Sequence, residues 1–103
     1  MSGDCYRLPA HRGALGREQR GARIGVVVQS GRLHLSTVLV APASTQAHPA
    51  PHRALVDIAG ESTRVLIEQI RVVDVERLGS FVARLEPQAL AEIRTAIDYT
   101  FDR

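Results

Sequence analysis

The sequence predicts a small α+β domain in which a curled, mostly antiparallel sheet is followed by one C-terminal helix. Short apolar, β-branched runs separated by turn residues recur from Ile24 to Val73, the pattern of successive strands. A single stretch of helical period stands at the other end, with Leu90, Ile93, Ile97 and Phe101 on one stripe. The length of 103 residues suits one modest core, so residues 1–103 are expected to form a single domain.

Taken in order, Cys5–Leu8 reads as a short strand closed by Pro9, and residues 11–21 form a loop with three glycines and no sustained period. Ile24–Gln29 is a strand ended by Ser30-Gly31. A turn through Leu35 leads to a second buried strand over Ser36–Ala43. The proline- and alanine-rich stretch 42–52, PASTQAHPAPH, is expected to be loop. Arg53–Ile58 alternates weakly, and Ala59–Thr63 turns the chain. Arg64–Val73 reads as one long strand, and its interior Glu68, Gln69 and Arg71 suggest a face that lines something other than core. Asp74 fits an N-cap for a single turn stopped by Gly79. Phe81–Leu85 is a last short strand. Glu86-Pro87 opens the helix, with proline at its tolerated first position, and Tyr99 falls on the side opposite the apolar stripe.

Charge is unevenly spread. Residues 1–32 hold six arginines against Asp4 and Glu18, whereas residues 33–103 hold seven arginines against nine acids. Every basic residue is arginine, whose planar fork matches phosphate, so the N-terminal third points toward an anionic partner; a GC-rich genome would give the same lysine-free composition. No apolar run approaches the roughly 20 residues of a membrane span. One cysteine, Cys5, allows neither an internal disulfide nor a cysteine-based zinc site. It reads as a small core residue, and a reducing cytoplasm is the expected compartment. His11, His34, His48 and His52 lie in expected loops or turns without paired ligand spacing, so no metal site is expected. The segment Gly16–Ser30, GREQRGARIGVVVQS, joins a charged Gly-rich loop to a strand, which places polar groups at the edge of a rigid sheet. A solvated loop before a core strand would read the same way.

Taken together, GREQRGAR–IGVVVQS, TVLVAPAST and VLIEQIRVVDVERLG resemble three ordered blocks of the MazF/PemK family of toxin–antitoxin endoribonucleases, along nearly the whole chain. The resemblance implies a partly open SH3-like barrel with a C-terminal helix, a homodimer, and cleavage of single-stranded RNA without metal or other cofactor. It also implies a cognate antitoxin, taken here to carry an acidic, partly disordered tail, and no membrane association. Arg23 matches the family's catalytic arginine and Ser44 its catalytic threonine, with Thr45 as the fallback. Glu18 matches the glutamate of the first loop. Glu68 and Gln69 match an acidic residue and a glutamine that face RNA, and Arg17, Gln19 and Arg20 fall on the RNA side of the loop. The chain departs from the pattern at Ile24, where relatives carry proline, at Arg17, where many carry Ser or His, and in short links after Ser30 and Ile58.

The chemistry so implied uses the substrate's own 2′-OH to attack phosphorus and leaves a 2′,3′-cyclic phosphate. Arg23 suits the charge developing on phosphorus, and Ser44 can donate to the same phosphate. Glu18 or Glu68 could take the proton if its pKa were raised; either could instead simply pair with an arginine. With few aromatics, base stacking is limited to Tyr6 or Tyr99, and Gln69 would read bases by hydrogen bonding. Two other readings stay open: a CcdB-like toxin that poisons gyrase by protein contact, and a decayed toxin that only binds its antitoxin.

Overall fold

The computed structural model describes residues 3–8, 23–28 and 36–101. Among the described residues seven strands form one sheet: β1 (Asp4–Leu8), β2 (Arg23–Val27), β3 (Thr37–Ser44), β4 (Arg53–Ile58), β5 (Glu61–Leu66), β6 (Arg71–Asp74) and β7 (Phe81–Arg84). A helix follows, α1 (Pro87–Phe101). The strand order is β4-β5-β3-β2-β1-β7, with β6 also on β3 and every pairing antiparallel. The result is a curled half-barrel with α1 packed on one face, mainly against β4.

The long central strand β3 divides the interior in two. Ala41 and Ala43 join Cys5, Val26, Ala54, Val56, Ile58, Val65 and Ile67 in a cluster closed by Ile93 and Ala96 of α1. Val38 and Val40 turn the other way and pack with Leu8, Val27 and Val73. That alternation is the period-two consequence of an extended chain with both faces covered. Gly25 sits in the second cluster, where an added Cβ would fall 2.5 Å from Val40 Cγ1 and 2.8 Å from Leu8 Cδ1, so only glycine lets those side chains close over β2.

Four expectations are corrected. The run 64–73 is not one strand: β5 ends at Leu66, a 3-10 turn takes Ile67–Gln69, and β6 begins at Arg71. Pro42, where the expected strand 36–43 and the expected loop 42–52 overlap, is a buried residue of β3, which runs on to Ser44. The two facts explain each other. Val28 N–H donates to the Leu39 carbonyl, so in this ladder residues 39, 41 and 43 direct their backbone groups toward β2. The nitrogen of Pro42 therefore points to the opposite side, where β5 has ended and β6 has not begun, and no ladder bond is lost. The turn after β4 is also tighter than expected, only Ala59-Gly60, both at positive φ (53° and 89°), as a two-residue hairpin requires. On α1, Ile93 is buried as expected, but Ala96 rather than Phe101 completes the buried stripe, Phe101 remaining exposed. Asp74 does cap its turn, its Oδ1 accepting the Glu76 N–H at 2.9 Å.

Candidate active site

The face of the sheet away from α1 changes character at one end. Leu8 pairs with Arg23, and the register Ile24–Ala43 carried one residue further sets Arg23 against Ser44. Ser44 in turn pairs with Arg64, and Arg64 with Leu55. Directly paired residues share a face, so Arg23, Ser44 and Arg64 form one row across three neighbouring strands. Next to the row lie Gly25 and Pro42, with the Val40 and Leu8 side chains closed over the glycine.

Ser44 is the last residue of β3, and its Oγ accepts the Gln46 N–H at 3.0 Å. That bond occupies a lone pair and leaves the hydroxyl proton to be donated outward. The chain then runs through 45–52 without helix or strand and returns at Arg53. Arg53 fastens this segment: its Nη1 donates to the His48 carbonyl at 3.1 Å, while Nε and Nη2 donate to Glu68 Oε2 at 3.1 and 2.7 Å. His52 Nε2 faces the other oxygen of Glu68 at 3.6 Å. Desolvation, the largest single influence on Glu68, pushes its carboxyl up. The Arg53 hydrogen bonds, its own backbone N–H and the charges of Arg53 and His52 together outweigh this and hold it below the ordinary glutamate value. Glu68 is thus kept ionised, the opposite of the raised pKa a carboxylate base would need. Gln69 is exposed on the same 3-10 turn, and Thr45 is exposed on the loop after β3.

A match to the family of PemK-like, MazF-like toxins of type II toxin–antitoxin systems covers residues 2–101. The chain belongs to that family. A Mycobacterium tuberculosis protein named as a candidate toxin is 35% identical over 98 residues, 94% of this chain and 92% of the relative. Among solved structures, a mycobacterial endoribonuclease in complex with its cognate antitoxin has a TM-score of 0.81 at 16% identity, covering 99% of this chain and 94% of that one. MazF from Deinococcus radiodurans has a TM-score of 0.77 at 22% identity, covering 99% and 96%. The Mycobacterium tuberculosis toxin MazF-mt6 has a TM-score of 0.75 at 19% identity, covering 97% and 96%. At these identities the structural likeness establishes the half-barrel fold.

Of the residues expected to matter in a MazF-like chain, Arg23 and Ser44 meet in one row, and Glu68, Gln69 and Thr45 lie around the 3-10 turn and the loop after β3. Glu18, Arg17, Gln19 and Arg20 lie outside the described residues. Tyr6 is packed edge-on to Phe81, with ring centroids 5.7 Å apart, and Tyr99 is exposed on the helix. Cys5 is fully buried, and burial followed by the charge of Asp4 pushes its thiol up to about 11, which makes it a core residue with no reactive thiolate. Arg53 and Arg64 were not singled out in the sequence. The alternation of Thr63 and Val65 was the available sign that Arg64 faces away from the helix, whereas nothing local pairs Arg53 with Glu68, fifteen residues away. A groove of about 490 Å³ lies elsewhere, between β4, β7 and the start of α1. Its lining carries Asp57, Glu86 and Glu92 against Arg84, whose charge is paired with Asp4, so the groove would repel a polyanion.

Proposed function

We propose that this MazF-like toxin is a metal-independent endoribonuclease that cleaves single-stranded RNA and so blocks translation and growth. The observation that carries the reading is the register that sets Arg23 against Ser44 on the helix-free face, in a chain of the toxin family. In this reading the substrate's 2′-OH attacks the adjacent phosphorus and the 5′-oxygen leaves, giving a 2′,3′-cyclic phosphate. Arg23 holds the phosphoryl oxygens as negative charge grows on them. Ser44, its oxygen already engaged by Gln46, donates its proton to the same phosphate. Glu68 acts as the anchor for Arg53 and the 45–52 loop rather than as the proton acceptor, which leaves Glu18 as the candidate for that step. Arg17, Gln19 and Arg20 track neighbouring phosphates, and Gln69 and Thr45 contact bases.

The protein acts in this account as a cytoplasmic homodimer, silenced by a cognate antitoxin whose acidic tail competes for the same arginines. The endoribonuclease that it resembles in complex with a cognate antitoxin supports such a partner. The test is incubation of purified protein with a long single-stranded RNA in EDTA, followed by mapping of the ends. Discrete cuts ending in 2′,3′-cyclic phosphate and 5′-hydroxyl are expected, and intact RNA overturns the nuclease reading. Sedimentation at micromolar concentration should show twice the 11.2 kDa chain mass; a monomer alone removes the dimer.

A further inference from the structure

Arg64 is the one member of the Arg23–Ser44–Arg64 row to which no role attaches so far. It pairs directly with Ser44 on the side opposite Arg23, so two guanidinium-bearing strands flank the hydroxyl. With neighbouring strands about 4.8 Å apart, the two arginine backbones stand roughly 9.5 Å from each other with Ser44 midway. The Arg64 guanidinium uses Nη1 to donate to the Arg53 carbonyl at 3.1 Å, which orients it, and four of its five N–H donors remain. Its neighbour Arg53 is neutralised by Glu68, but among the described residues no carboxylate pairs with Arg64. The surface beyond it is open, since Leu55, its partner on β4, is 50% exposed.

We propose that Arg64 is a second phosphate-binding residue, which grips the RNA backbone next to the phosphate held by Arg23 and so sets which linkage lies over Ser44. The proposal rests on the nuclease reading above. Arg64 contributes through ground-state binding of the strand, a contact that reaction at phosphorus leaves unchanged. Its loss therefore weakens KM and the salt dependence of binding rather than the chemical step.

The experiment compares wild type with Arg64→Ala and Arg64→Lys on one cleavable single-stranded RNA and on the same strand carrying a 2′-deoxy residue at the cut site. For Arg64→Ala, KM should rise about tenfold, as for loss of one charge-assisted hydrogen bond, with kcat within about twofold. The slope of log Kd against log salt for the uncleavable strand should fall by about 0.7, one phosphate contact on a single strand. Arg64→Lys should restore the slope, because it restores the charge. The proposal is overturned if wild type binds and cuts while Arg64→Ala keeps its KM and salt slope, which would leave Arg64 a brace for the Arg53 carbonyl. An Arg64→Ala protein that melts lower and loses kcat with an unchanged slope likewise reduces Arg64 to a brace. A wild-type protein that neither binds nor cuts the RNA overturns the nuclease reading itself, and this assignment with it.

Discussion

Along β3, Ala41 and Ala43 press against the cluster that α1 closes with Ile93 and Ala96, while Pro42 and Ser44, one residue away in each case, face the other side. The helix-covered face is continuous from Cys5 to Ile67 and apolar but for Thr63. The opposite face is apolar only in its middle, around Leu8, Val27 and Val40, and ends in Arg23, Ser44 and Arg64. One strand thus carries core on one side and, in the proposed function, polar chemistry on the other. Substitutions of adjacent residues should therefore fail in different ways.

The largest expected effect belongs to the covered face. Ile93→Ala leaves a cavity beneath the sheet and should cost about 2–5 kcal/mol in unfolding measurements. Cleavage per folded molecule, measured well below the melting temperature, should hardly change. A large activity loss in the folded variant would show that α1 shapes the opposite face too. Next comes Ser44→Ala, which removes a hydroxyl aimed at the proposed phosphate and should slow cleavage at least tenfold, with melting within a few degrees of wild type. Ser44→Thr keeps the hydroxyl and should be nearly silent in the same assay.

How much of this contrast could be read in the sequence depends on what fixed each feature. The helix and the β3 core were legible because periods of 3.6 and two are local properties. The end of β5 was not, because Val65 to Val73 looks like continuous strand, and the break is fixed by the partner strand, where Pro42 offers no donor. The Arg53–Glu68 clamp was invisible for a similar reason: only the β4–β5 hairpin register brings together residues fifteen apart. Arg23 and Ser44 were singled out through family resemblance alone, since neither residue type is unusual where a loop meets a strand; what the fold adds is that they lie in one row.

That clamp gives a smaller, pH-dependent effect. The folded-state pKa of Glu68 lies below its unfolded value, so the pair contributes stability at neutral pH, and this is lost as pH falls through the lowered value. Wild type should melt above Glu68→Gln at pH 7, and the gap should close below the ordinary glutamate range. A gap that widens in acid would contradict the sign of the shift. Smallest of all, Ala59→Gly should stabilise the hairpin by about 0.5–1 kcal/mol, because alanine sits there at a φ of 53°. It should leave cleavage untouched, as neither face of the central strand is altered.

The separation of stability from chemistry is tested most directly at Arg23, by single-turnover RNA cleavage and thermal melting on the same preparation of Arg23→Ala. Loss of a preorganised charge donor predicts a rate lower by about 10²–10³ with melting within a few degrees of wild type. Arg23→Lys should recover only a little, since it lacks the fork. A folded Arg23→Ala protein that cuts RNA at the wild-type rate would contradict the account.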